Sequence, residues 1–294
     1  MGTAWVFPGQ GSQKANMADG VLDLPGAAER FALASQLVGR DLLTIYAADG
    51  NPEDINDTRH TQPALFVVES LLVDGLLAQG QQPQVVAGHS LGELVALYAA
   101  GVFDAQTGLE LTRRRSSLMA AVGSGAMTAV IGCDRGQLEE IVNSTDGVVI
   151  ANDNSNAQVV LSGTPEAVAE VSGALRCKRT IPLAVSGAFH SPFMQGAAAA
   201  FADHLAEVPF SDARYPVLSN AEPRPETQAS VLKKRLLRQM TSPVRWRETM
   251  QRLAELQMNR AVEIGPGNVL SGLIKRSAKG IVTAQISGAS DLNA

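Results

Sequence analysis

The chain holds only two cysteines in 294 residues, Cys133 and Cys177. Two thiols are too few for a disulfide framework or a cysteine metal cluster, and they fit a reducing cytoplasm. Positive charge is not in excess: the formal net charge is −5, which argues against a general nucleic-acid binder. No run of about 20 apolar residues is read in the sequence, so no membrane span is expected. No basic region and apolar run precede "TAWVFPGQG", so no signal peptide is expected. Gly2 does not make a myristoylation signal, because Val6 stands where Ser or Thr is needed. The glycine-rich "PGQGSQ" lacks the G-x-x-x-x-G-K-[ST] of a P-loop, and no metal, nucleotide or flavin site is evident. Histidine is scarce too, with four candidates for any imidazole chemistry: His60, His89, His190 and His204.

What is present is a globular composition, 45% hydrophobic and 18% charged, on a chain long enough to bury a large core. "AWVF" and "PQVVAG" read as short buried strands. "PALFVVESLLVDGLLAQG" (Pro63–Gly80), "LGELVALYAAG" and "GLELTRRRSSLMAAV" read as helices. Strands separated by helices predict a parallel sheet covered on both faces. From about Ala126 to Val185 the order becomes strand, helix, strand, strand, helix, strand, which is the ferredoxin-like unit. The expected organisation is therefore a large α/β subdomain (1–125 and 186–294) with a small inserted one (126–185). Helices over Phe193–Ala206 and Gln228–Glu255 and short apolar runs "RAVEIG" and "GIVTAQIS" complete the chain, and "NAEPRPETQAS" is its most loop-like stretch.

Gly88-His89-Ser90-Leu91-Gly92 fits G-x-S-x-G, with an apolar strand leading in and a helix leading out. That is the setting of a nucleophile elbow. Its glycines let the chain turn sharply and let a substrate approach. Ser90 at the helix start would leave the Leu91 N–H free for an oxyanion. Ser90 would equally serve as an ordinary helix cap. A serine nucleophile needs a base. His89 points away from a strand-top serine, His204 lies on a helix of surface character, and His60 falls in a polar loop. His190, in "SGAFHSPFM" at the subdomain junction, is the best candidate by elimination.

"VFPGQGSQ", "TQPALF", "GHSLGE", "GAFHSPFM", "SPVRW" and "EIGPGNVLSGL" stand in this order along nearly the whole chain. In this the sequence resembles the malonyl-CoA:acyl-carrier-protein transacylases of the stand-alone bacterial type. The resemblance implies an α/β hydrolase-like core with a ferredoxin-like insertion. It implies that Ser90 accepts the acyl group and His190 is its base. It implies an oxyanion hole from the backbone N–H groups of Gln10 and Leu91. Family spacing selects Arg115 from the run Arg113-Arg114-Arg115 to grip the substrate carboxylate, and leaves Arg113 and Arg114 as solvated charges. Gln239 would orient the histidine through its backbone carbonyl, while Gln62 and Asn268 would lie at the pocket edge. No permanent cofactor is implied. Malonyl-CoA is the substrate, and phosphopantetheine is carried by the partner, an acyl carrier protein. The product would supply fatty acid synthesis, and a monomer is expected.

Phe189, beside the base, would fill the space an α-methyl group needs, favouring malonyl over methylmalonyl, or would be simple core packing. Carrier proteins of this pathway are acidic, so a protein of net charge −5 must present local positive charge. Lys233, Lys234, Arg235 and Arg238, with Arg245, Arg247, Lys275, Arg276 and Lys279, form the densest basic region, and ordinary solvated helix faces are the other reading of it. Asn16 stands where the family often has Gly, and Asn tolerates left-handed backbone. A serine esterase or thioesterase of similar fold, and an acyltransferase serving polyketide synthesis, remain as alternatives. Asp104, Asp134, Asp146 and Asp153 all fall between Ser90 and His190, so residue order leaves room for an acid partner to the histidine.

Overall fold

The structure, a computed structural model, describes residues 2–185 and 187–293. Ser186, where the second part of the large subdomain was expected to start, lies outside them. The chain opens with β1 (Gly2–Phe7), followed by α1 (Ala27–Val38), the short α2 (Leu42–Ile45) and α3 (Pro52–Asn56). Asn16 adopts a left-handed φ of 61°, as its residue type allows. The long helix α4 runs Thr58–Ala78 and so starts well before Pro63. Asp57 sets that start, its side chain accepting the Arg59 N–H. His60 is consequently a buried first-turn residue rather than part of a polar loop, its Nδ1 at 3.1 Å from the Asp54 carbonyl. α4 also corrects the reading of apolar runs: it is long and apolar enough to cross a membrane, at a mean hydropathy of 1.3. It is 78% buried within the protein, and is a core helix.

β2 (Val85–Gly88), α5 (Gly92–Ala99) and α6 (Ala105–Val122) follow. Next come β3 (Ala126–Ile131), α7 (Arg135–Ser144), β4 (Val148–Ser155), β5 (Gln158–Gly163), α8 (Pro165–Ala174) and β6 (Arg179–Pro182). The remainder holds α9 (Gln195–Glu207), β7 (Val217–Leu218), α10 (Ala229–Gln239), α11 (Trp246–Glu255), β8 (Met258–Ile264), α12 (Val269–Ser277) and β9 (Val282–Ile286). The single helix expected over Gln228–Glu255 is thus two. Pro243 lacks an N–H and pushes Ser242 away from helical backbone. Val244 spends its backbone groups on β4 instead: it accepts the Asp153 N–H at 2.9 Å and donates to the Ala151 carbonyl at 2.8 Å.

Five parallel strands form the main sheet in the order β7-β2-β1-β8-β9. Alternate residues feed opposite faces. Trp5, Phe7, Val86 and Ile264 enter one buried cluster, and Ala4, Val6, Val85 and Ala261 enter another. Both faces are therefore dry, which is why these strands read as unbroken apolar runs. Each fully buried large side chain contributes roughly 1.5–3 kcal/mol. The second sheet is antiparallel, in the order β4-β5-β3-β6, with Leu138 and Val142 of α7 and Val171 of α8 packed on it. Cys133 and Cys177, read as fitting a reducing cytoplasm, depart from that reading. β3 and β6 pair Ile131 with Arg179, which brings the two cysteines side by side, and their sulphurs are joined.

Candidate active site

Strand register builds the site. Phe7 pairs with Gly88 and Ala87 with Leu218, so the loops after β1, β2 and β7 leave the sheet side by side at its carboxyl edge. In open parallel sheets that edge is where ligands bind. The two motif glycines act by close packing rather than by an unusual turn. A Cβ on Gly88 would lie 1.9 Å from the Gly92 carbonyl carbon, and one on Gly92 would lie 2.1 Å from the Phe7 carbonyl oxygen. The left-handed residue is Ser90 itself, at φ 54°. Such backbone costs about 1–3 kcal/mol and persists only where its surroundings fix it. Asn220, the second residue beyond β7, does so. Its Oδ1 accepts the Ser90 N–H at 2.7 Å, and its Nδ2 donates to the Gly88 carbonyl at 2.5 Å.

His190 reaches the elbow from the loop before α9, also with left-handed backbone (φ 55°). Its Nδ1 is 2.9 Å from the Gln239 carbonyl, and its Nε2 is 2.7 Å from Ser90 Oγ. A carbonyl only accepts, so Nδ1 carries the proton and Nε2 is left bare to receive the serine proton. Burial, helped by the Arg115 charge, lowers the His190 pKa to about 3, so the ring is neutral. No carboxylate bonds His190 among the described residues. Asp104 and Asp134 cap α6 and α7, Asp153 is held by Arg135 and Arg247, and Asp146 is exposed.

Arg115 comes from α6 and is wholly buried. Its Nη1 donates to Gln62 Oε1 at 2.6 Å, its Nε and Nη2 to Gln239 Oε1 at 3.1 and 2.8 Å, and its Nη2 also to Ser90 Oγ at 3.2 Å. The three acceptors of these four bonds are neutral oxygens. Burial lowers its pKa to about 10, so the guanidinium is still charged at neutral pH. A buried cation without a directly bonded anion is a receptor for one. Gln239 thus meets all three: its carbonyl holds His190, its side-chain oxygen holds Arg115, and its Nε2 donates to the Ser90 carbonyl at 2.8 Å.

Gly9 lets the loop after β1 close on the elbow, since a Cβ there would fall 2.4 Å from the His89 carbonyl oxygen. The neighbouring Gln10 amide and the Leu91 amide donate to no protein acceptor among the described residues. The Gln10 side chain is fixed by Asn56 and Thr58, which line a cleft of about 820 Å³. Phe189 is buried in the main core, its ring turned back over Gly187. Asn268 is exposed at the start of α12 and makes no hydrogen bond to these residues among the described ones. His89 bonds Asn154 at 2.8 Å, away from Ser90 Oγ.

The basic region is not one free cationic face. Lys233 donates to the Ala206 and Val208 carbonyls at the end of α9 and lies over the Phe210 ring. Arg235 and Arg238 pair with Glu222, Arg245 with Glu248, and Arg247 with Asp153. Successive residues of a helix point about 100° apart, and the carbonyls at the end of α9 and nearby acids take up most of these cations. Lys234, Lys275, Arg276 and Lys279 stay exposed. Sequence reasoning also missed two residues. Glu93, 1% exposed, accepts the Asn220 N–H and Gln239 Nε2. Its signal was available: a lone acid inside the apolar "LGELVALYAA". Asn220 lay in a loop-like stretch without local signal.

The family profile described as "Acyl transferase domain" matches residues 4–291. The chain is 45% identical over 293 residues to the malonyl CoA-acyl carrier protein transacylase of Synechocystis sp., covering 100% of this chain and 99% of the relative. It is 38% identical over 284 residues to the Escherichia coli protein of that name, covering 93% and 92%. The crystal structure of the Synechocystis enzyme superposes with a TM-score of 0.96, covering 100% and 99% of the two chains. A malonyl-transacylase solved with a polyketide acyl carrier protein superposes at 0.92, with 35% identity and coverage of 100% and 98%.

Proposed function

The chain belongs to the acyl transferase family, and from that premise we infer that it moves a malonyl group from malonyl-CoA to the phosphopantetheine thiol of an acyl carrier protein. Two chemical steps suffice. In the first, Ser90 Oγ attacks the thioester carbonyl as His190 Nε2 takes its proton. The tetrahedral oxyanion forms between the Gln10 and Leu91 amides, and collapses as the C–S bond breaks and His190 protonates the departing CoA thiolate. In the second, His190 takes the proton of the carrier thiol, whose sulphur attacks malonyl-Ser90, and returns it to Ser90 Oγ as the ester breaks. Arg115 grips the malonyl carboxylate, Gln62 and Gln239 hold Arg115 in place, and Gln239 orients His190. Phe189 limits the bulk at the acyl α-carbon. The chemistry needs no resident cofactor.

The observation that carries this reading is the His190 ring bridging Ser90 Oγ and a neutral carbonyl. An acid partner would stabilise an imidazolium and favour activation of water. A carbonyl orients the ring with less charge stabilisation, which suits transfer over hydrolysis. The division into 1–125 with 186–294 and an inserted 126–185 remains our description of the subdomains. Action as a cytoplasmic monomer feeding fatty acid synthesis belongs to the same proposal. Relatives named for polyketide biosynthesis, such as one from Bacillus subtilis at 37% identity, make that the second pathway to assay. The test is the fate of the malonyl-enzyme. Transfer to carrier protein should greatly outpace loss to water, and rapid hydrolysis without a thiol acceptor would mark an esterase instead.

A further inference from the structure

Of the buried carboxylates that take no part in the steps above, Glu93 stands beside the site. Glu93 lies in the first turn of α5, three residues beyond Ser90, and is 1% exposed. Its Oε2 accepts Gln239 Nε2 at 2.8 Å and the Asn220 N–H at 3.1 Å. Both partners only donate to Oε2, while Oε1 has no hydrogen-bond partner among the described residues. Burial raises the Glu93 pKa above its ordinary value, and these donors together with the Arg115 charge act against that rise. The same Gln239 amide presents its oxygen to Arg115. A cation, an amide and an anion therefore stand in line, the amide dipole aligned between opposite charges. Among the described residues Arg115 bonds no carboxylate directly.

We propose that Glu93 is a positioning residue and the held-off counter-charge of Arg115. It fixes which face of the Gln239 amide meets the guanidinium. It balances the buried cation from one amide away, leaving the guanidinium open to the carboxylate of the acyl group. It also repels that carboxylate weakly, so the malonyl group is held firmly enough to be selected and loosely enough to be passed on. This inference rests on Arg115 being the carboxylate grip.

The experiment compares wild type, Glu93→Gln, Glu93→Asp and Arg115→Ala, each assayed with malonyl-CoA and acetyl-CoA as donors. Glu93→Gln keeps shape and an acceptor but removes the charge. It should lower KM for malonyl-CoA relative to KM for acetyl-CoA on the order of tenfold and slow release of the malonyl group. Glu93→Asp, which keeps the charge, should restore the wild-type ratio of the two KM values. Equal changes with both donors, or no change, would overturn the proposal and leave Glu93 a packing residue. If no uncharged variant folds, Glu93→Met included, while Glu93→Asp does, the carboxylate is a folding requirement and the proposal fails. Arg115→Ala separates the two claims. If it leaves the malonyl preference intact, the reading of Arg115 is wrong; if it removes the preference and Glu93→Gln moves nothing, only this inference falls.

Discussion

Replacing Arg115 by alanine tests the substrate reading at its most specific point. The side chain is wholly buried and makes four hydrogen bonds, to Gln62, Gln239 and Ser90. Losing one buried, paired charge contact costs about 2–5 kcal/mol, which is between about 30-fold and a few thousand-fold in kcat/KM for malonyl-CoA. Part of the damage is common to every acyl donor. The 3.2 Å bond to Ser90 Oγ is lost whatever the substrate, and two carbonyl oxygens are left unpartnered at about 1–3 kcal/mol of stability each. The ratio of kcat/KM for malonyl-CoA to that for acetyl-CoA cancels these shared losses, because acetyl has no carboxylate to lose. The assay is stopped-flow or thiol-release kinetics with both donors. Thermal melting run alongside confirms that the variant is folded, and Arg115→Met serves as a bulkier control. The ratio should collapse by at least an order of magnitude. An unchanged ratio would make Arg115 a structural cation, and the malonyl preference would need another source.

Acid should act through His190. Its folded pKa is lowered to about 3, against about 6.5 when exposed in the unfolded chain. The base therefore stays unprotonated, and acyl-enzyme formation should not lose a proton-linked limb near pH 6.5. The same shift costs stability: it is without penalty above about pH 6.5, and below that the unfolded state binds a proton the folded state refuses. Stability should then fall by up to about 1.4 kcal/mol per pH unit, and denaturant titrations of wild type and His190→Asn should show the excess slope only in wild type. Phe189→Ser should raise kcat/KM for methylmalonyl-CoA relative to malonyl-CoA by about 1–3 kcal/mol of discrimination, measured by competition between the two donors. An unchanged ratio would leave Phe189 as core packing.

Much of the architecture was legible because it rests on local pattern. Unbroken apolar strands announced a sheet buried on both faces, and the change of rhythm from about Ala126 announced the antiparallel unit. Ser90 and His190 were placed by motifs and Arg115 by family spacing, and the fold brings all three within hydrogen-bond reach. What stayed hidden depends on partners remote in sequence. The helix expected over Gln228–Glu255 breaks because Val244 pairs with β4, some ninety residues earlier. Lys233 looked free but is taken by the end of α9. Asn220 fixes the strained Ser90 backbone from a stretch whose composition says only loop. The cysteine pair is set by strand register, which two isolated residues cannot reveal.

Ser90 becomes an ester when malonyl-CoA is added without carrier protein, and that intermediate is the central claim to test. Intact-mass spectrometry, followed by peptide mapping, should find one added malonyl group on Ser90 in the wild-type chain and none in Ser90→Ala. A wild-type chain that stays unmodified while still transferring malonyl groups, or that carries the group on another residue, would contradict it.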